Sequence, residues 1–417
     1  MFRLVWLAAL IAAGGAPHPV AAQQTPLDER GLVEFVRGVL ARNRAVQATG
    51  LDVSAAADRI APAGALPDPM VRVGVMSLPV PGFAAEPMTQ LPLMVEQRFP
   101  GFGKRGAATA MARADSGAAA AELGVVVTGL AAEAAETWFE LAYARRALEV
   151  WSGRAGLAER AVLAAQARYE TGAAPQTDLL RARLRRAEVA DEERGLRAAV
   201  LAAAARADAL RGGGDDSIVT ALAQPADAPA AETLPADRLD EGNAHLMLVR
   251  AELDRARRHA DALAIAARPD FTVSVQNGVR FGGREPFVTA LVGLSVPLWS
   301  GRKQRPLARA ASLEVDATRA RYDDLRARLD GQVRGQLAEL DGLGDRIRLA
   351  ADQIVPLADA ASASALQRYQ VGAVEFSAVL DTQDDAFRAR LSLARLIADY
   401  GAARVRLAAL VGEEWYR

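Results

Sequence analysis

The chain repeats itself at a distance of about 200 residues. Arg168-Tyr169-Glu170-Thr171-Gly172-Ala173 returns as Arg368-Tyr369-Gln370-Val371-Gly372-Ala373. Each copy reaches a leucine eight positions past its glycine, Leu180 and Leu380. Pro67-Asp68 returns as Pro269-Asp270, and the basic cluster Gly103-Lys104-Arg105 returns as Gly301-Arg302-Lys303. Three landmarks in the same order mark an internal duplication, so the molecule is two copies of one structural unit.

The first 22 residues read as an address. Arg3 opens them, an apolar run follows from Leu4 to Ala13, and Val20-Ala21-Ala22 supplies the small residues of a cleavage site. This is the pattern of a secretory signal peptide (residues 1–22). The chain has no cysteine, so neither a disulfide nor an acylated N-terminal cysteine is available, and packing alone holds the exported protein. The remainder shows no unbroken apolar run of about 18 residues, the length a membrane helix requires. A net charge of −1 argues against nucleic acid as a partner.

Proline spacing locates the helices, because proline breaks a helix interior. None lies between Pro100 and Pro175 or between Pro175 and Pro225, and only Pro356 interrupts the stretch after Pro306. A helix from Lys104 to Glu170 would run ~100 Å, which implies antiparallel coiled-coil packing with a return helix from about Asp178 to Leu210. The second copy climbs to Val371, turns at Gly372 and returns from about Ser377 to Leu410.

Between the helices the period changes to two. Phe271, Val273, Val275, Val279 and Phe281 alternate with Thr272, Ser274, Gln276, Gly278 and Arg280, with Asn277 breaking the apolar face. After Gly282-Gly283, the run Val288, Ala290, Val292, Leu294, Val296 alternates likewise. The first copy is rougher: Val71, Val73 and Val75 alternate with Met70, Arg72, Gly74 and Met76, and Leu91, Leu93 and Val95 with Gln90, Pro92, Met94 and Glu96, which puts Pro92 inside a strand. Alternation over about ten residues fits a membrane-barrel strand. Four strands cannot close a barrel and an open edge cannot sit in lipid, so several chains must share one.

The expected organisation is a first repeat over 23–211, with an N-terminal helix from Leu27 to about Ile60, a β-hairpin over 69–99 and a helical hairpin over 104–211 with its tip at 171–175. A linker rich in Gly, Ala and Pro covers 212–240. The second repeat covers 241–417, with a helix over 241–267, a β-hairpin over 270–297 and a helical hairpin over 303–411 with its tip at 371–374.

With these residues in view, the chain resembles the TolC-like outer membrane factors over nearly its whole mature length. The two Arg-Tyr-x-x-Gly-Ala turns, the two strand hairpins and Pro100-Gly101-Phe102-Gly103-Lys104-Arg105 carry the resemblance. Leu66-Pro67-Asp68-Pro69-Met70, Val73-Gly74-Val75-Met76-Ser77-Leu78-Pro79 and Gln97-Arg98-Phe99-Pro100 are similar to the CzcC/CusC-type heavy-metal branch. The resemblance implies a fold that is mainly α with membrane β: long helices forming an α-barrel, and four strands per chain in a shared 12-stranded trimeric β-barrel. It implies an outer-membrane location extending into the periplasm, a homotrimer in outer-membrane lipid, a periplasmic adaptor and an inner-membrane pump of RND type. The copper/silver-type members carry a lipidated cysteine that this chain lacks.

Enzyme chemistry finds no support, and no cofactor is expected. His245 and His259 stand 14 residues apart, not at ligand spacing. Met70, Met76, Met88 and Met94 cluster around the first hairpin, where thioethers serve adaptable packing more often than soft metals. Acidic pairs such as Asp323-Asp324 and Asp384-Asp385 read as solvated helix faces. A duct works by electrostatics at a constriction. The resemblance places an acidic gate residue at Asp381 and a pair linking the two helical hairpins at Asp178 and Tyr369. The companion acid is replaced by Ala378 and the companion base by Val374. The resemblance also places adaptor docking at the tips, through Arg168, Tyr169, Gly172, Arg368, Tyr369 and Gly372. The preferred reading is an export duct for heavy-metal cations. The same duct for drugs, organic solutes or type I protein secretion is the same-fold alternative, and a periplasmic coiled-coil adaptor or scaffold without a channel is the alternative of another class.

Overall fold

The computed structural model describes residues 29–78, 88–213, 236–281 and 284–416. The signal peptide, most of the linker and the Gly282-Gly283 turn lie outside the described residues.

The single N-terminal helix expected up to Ile60 is three: α1 (Glu29–Arg42), α2 (Arg44–Asp58) and α3 (Ile60–Ala63). Asn43 makes the first break, its side chain accepting from the Ala45 N–H at 2.8 Å, because an Asn at this position satisfies a helix-end donor that the chain itself cannot. Strands β1 (Met70–Val73) and β2 (Gln90–Phe99) follow, then α4 (Lys104–Glu170) and α5 (Gln176–Leu210). In the second half, α6 (Ala236–Gly242) and α7 (Ala244–Ala264) are again separated by an asparagine, Asn243, which accepts from the Leu246 N–H at 3.0 Å. Asn43 and Asn243 are thus a fourth pair at an offset of 200.

Next come β3 (Asp270–Arg280), β4 (Phe287–Ser295), α8 (Gln304–Leu349), a π-helical turn (Ala350–Ile354), α9 (Val355–Gln370) and α10 (Phe376–Val411). The π turn divides what the proline spacing suggested was one long ascending helix. Pro356 lacks an N–H and crowds the preceding turn, and a widened turn relieves both defects.

The strands form one antiparallel sheet in the order β1-β2-β3-β4, so β2 and β3 join the two halves. Register puts Val71, Val95, Val275 and Ala290 in one row, and Val273 beside Val292. Arg72, Met94, Gln276 and Thr289 form a row on the opposite face. The valine face is open: Val73 is 75% and Val292 76% exposed. Asn277 interrupts it between Leu93 and Val288.

Asp270 ties the sheet to the helices. Its carboxylate accepts from Arg98 at 2.5 Å, from Lys104 at 2.8 Å and from the Gly101 N–H at 2.8 Å. Lys104 opens α4, so the basic cluster of the sequence fixes the exit angle of the longest helix.

The principal core surrounds Trp138, Phe139 and Leu141 of α4, Val36 and Val39 of α1, and Ala398 and Val405 of α10. Each large side chain fully buried here contributes about 1.5–3 kcal/mol. Runs of buried alanine, including Ala131, Ala134, Ala135 and Ala142, let the helices approach closely. Helix α4 is long and apolar enough, by length and composition alone, to cross a membrane, although Glu122 and Glu133 interrupt its apolar run. It packs along α1, α2, α5, α7 and α10.

Candidate gate and docking tips

The two tips are made alike. Gly172 has φ +69° and Gly372 φ +77°, a left-handed conformation that glycine adopts without a side-chain penalty. Gly172 N–H donates to the Tyr169 carbonyl at 3.0 Å and Ala173 N–H to that of Arg168 at 2.8 Å. At the second tip Gly372 donates to Tyr369 at 3.0 Å and Ala373 to Arg368 at 2.9 Å. These are helix-ending turns that satisfy the last carbonyls. A Cβ at either glycine would meet nothing within 4 Å, so the tips are open to a partner.

The paired tyrosines part company. Tyr169 is half exposed, whereas Tyr369 is buried with Val162, Ala165, Leu179, Ala182, Phe376 and Val379. The Arg168 guanidinium stacks over the Tyr369 ring at 4.7 Å and donates to its backbone carbonyl at 3.3 Å. Arg368 is exposed. The hydrogen bond expected between Asp178 and Tyr369 is not formed within the chain, because the Tyr369 hydroxyl is buried without a partner among the described residues. Hydrophobic packing at the tip turns the phenol inward, while Asp178 is half-buried in the first turn of α5. Val374, standing where a base was expected, packs against the same cluster. Asp381 is exposed on α10, free to present its charge.

One polar centre is hidden from local sequence. Asp384, which beside Asp385 reads as part of a solvated face, pairs with Arg154 of α4 and Arg185 of α5. Arg154 is 5% exposed and lies between the Trp151 ring at 4.7 Å and the Phe387 ring at 5.1 Å. Asp385 does face solvent. An arginine three residues from Trp151 was the available signal, but a helix partner 230 residues away leaves no local trace. The histidines are on the surface, with His259 Nδ1 3.8 Å from Glu314. Among the described residues no group of His, Asp and Glu is arranged to hold a metal ion.

Long packed helices thus carry one four-stranded sheet that exposes a valine-rich face. The sequence profile described as "Outer membrane efflux protein" matches residues 36–213 and 236–413. The chain belongs to this family. The outer membrane efflux protein therefore has two matching halves, divided where the linker falls. It is similar in fold to the solved structure of CusC, at 16% identity and a TM-score of 0.81, over 97% of this chain and 99% of that one. VceC from Vibrio cholerae superposes with a TM-score of 0.77 at 18% identity, over 92% and 96% of the two chains. CmeC from Campylobacter jejuni does so with 0.78 at 11% identity, over 97% and 94%. No curated protein sequence matches the chain. Family membership makes it the outer-membrane channel of a tripartite efflux system, extending into the periplasm, trimeric and coupled to an adaptor and an inner-membrane pump. It is not an enzyme.

Proposed function

We propose that this channel exports heavy-metal cations supplied by an RND-type pump. The observation that carries the reading is the Gln97–Lys104 segment, similar to the CzcC/CusC branch. This segment also anchors the sheet, since Arg98, Gly101 and Lys104 all bind Asp270. The gate lies at the periplasmic tips. Asp381 and Asp178 supply carboxylates there, and in a trimer each becomes a ring of three that attracts cations. Tyr369 acts through its ring, held by Arg168. Adaptor docking uses Arg168, Tyr169 and Gly172 on one tip and Arg368 and Gly372 on the other. A passive duct needs no resident metal site, only the sign of its field.

The test is growth of a deletion strain, with and without the chain restored, across copper, silver, zinc, cobalt and cadmium salts and a panel of antibiotics and detergents. Sensitivity confined to metals supports the reading. Sensitivity confined to organic compounds overturns the metal cargo and favours the drug and solute duct.

A further inference from the structure

We propose that His259 sets the sign of a charge filter inside the channel, at the end of the long helices next to the sheet. In that region the helices follow the order of the strands. Helix α2 leads through α3 into β1, α4 leaves β2, α7 leads into β3 and α8 leaves β4. Helix α4 packs on α2 and on α7, and α7 packs on α8, so the four stand side by side as one layer. An open cavity of about 640 Å³ lies across this layer, lined jointly by α4, α7 and α8. A middle helix and both its neighbours can face one hollow only on the concave side of the layer. When three such layers close beneath the barrel, that side becomes the lumen.

The hollow is charged on every wall. Helical spacing puts Glu252, Arg255 and His259 of α7 on one stripe and Glu314 and Arg321 of α8 on another, and Asp115 comes from α4. All six side chains are exposed. His259 Nδ1 stands 3.8 Å from Glu314, and Arg255 Nε stands 3.8 Å from Asp115. Outside the hollow, Arg258 is occupied by Asp254 and Asp261, and α6 packs near the far end of α7. The hollow therefore holds three carboxylates and two guanidiniums, a net charge of −1 (−3 + 2) while the imidazole is neutral and 0 once it is protonated. Threefold symmetry makes this a ring that passes from −3 to 0. Histidine is the side chain that changes charge between about pH 5 and 8, and a ring of one sign draws the opposite ion into a channel. Above that range the ring attracts cations, and below it the ring favours neither sign. This filter is separate from the tips and from the identity of the cargo. Asp115 lies 57 residues before Gly172, ~85 Å along α4.

The chain has no cysteine, so Ala317→Cys, on the α8 wall of the same hollow, gives one thiol per subunit. The trimer in detergent would be treated with a cationic and an anionic methanethiosulfonate between about pH 8 and about pH 5. The ionic strength is kept at about 10 mM, where charges are felt over ~30 Å. The ratio of the two rates cancels the titration of the thiol itself. That ratio, cationic over anionic, should fall about fivefold on acidification, the effect of one unit charge ~8 Å away in water on reagents of opposite sign. With His259→Gln added, it should stay constant. A ratio independent of pH in the Ala317→Cys trimer, or one that falls equally with His259→Gln, overturns the proposal. Coupling a polyethylene glycol maleimide to the same thiol tests the placement in the lumen, and single-channel conductance in planar bilayers should drop by about half or more. Unchanged conductance of a fully coupled trimer puts the hollow outside the duct and overturns the proposal as well. Resistance conferred on a deletion strain by the unaltered chain leaves the duct itself standing in either event, whereas absent resistance counts against the duct.

Discussion

The Arg168 guanidinium of the first tip lies over the Tyr369 ring of the second, 4.7 Å from its centroid. The phenol beneath it is buried, and its hydroxyl has no hydrogen-bond partner among the described residues. Tyr369 therefore works as an aromatic surface, not as a donor. Tyr369→Phe should leave bilayer conductance and trimer stability near those of the unaltered protein. Tyr369→Ala removes the stacked ring and the packing against Phe376, and should raise conductance while costing about 3–5 kcal/mol of stability. Equal effects of Phe and Ala would show that the hydroxyl carries the function.

Asp381 is exposed on α10, near the same tip. Asp381→Asn should shift the reversal potential in a salt gradient toward weaker cation preference, since it removes one ring of negative charge. Open probability should hardly change. An unaltered reversal potential would place the selectivity elsewhere.

The sheet has a lipid side. Val292→Arg puts a charge on the exposed valine face and should cost about 2–4 kcal/mol if the site is near the midplane, with loss of trimer from outer-membrane fractions. Gln276→Arg, on the other face and only half-buried, should insert nearly normally. Equal yields for both would contradict the assignment of faces.

At the second tip, Gly372→Trp should abolish efflux and leave the trimer in the membrane. The positive φ strains any larger residue, and the indole would fill the open space that a partner needs. Resistance assays with parallel membrane fractionation check both halves of this expectation.

Outside the membrane, Asp240 accepts two hydrogen bonds from Arg326, at 2.6 and 2.8 Å. These bonds hold its carboxyl below its ordinary value of 3.8. A carboxyl lowered on folding contributes stability that is complete above the ordinary value and lost as pH falls through the folded one. The difference in melting temperature between the unaltered protein and Asp240→Asn should therefore shrink as pH falls below 3.8. A difference independent of pH would show that Asp240 acts other than by charge.

Much of the architecture is legible along the chain because it is periodic. Gaps between prolines expose the long helices, and the twofold alternation around Val273 and Val292 exposes the strands. Both signals are local. What escapes is set by contacts between distant segments. Asp384 and Asp385 look alike in sequence, yet one lies against Arg154 and the other in solvent, because helix rotation relative to α4 decides between them. Tyr169 and Tyr369 occupy equivalent places in the repeat, but only the second is covered by the opposite hairpin. Duplication predicts equivalent backbones, as the matching turns at Gly172 and Gly372 show, and says nothing of how two copies differ once they pack on each other.

The shortness of β1 has a consequence for how the assembly comes apart. Four residues, Met70–Val73, pair with a β2 of ten, while β4 at the other edge has nine. When three sheets close into a cylinder, each β4 meets a neighbour's β1, so every joint between subunits rests on a regular strand of four residues prolonged by the Met76–Gln90 bridge. The staves are strong and the joints are brief. Heating should separate the subunits before the helices melt, and a lone subunit, its edges bare, would have no lasting home in the bilayer.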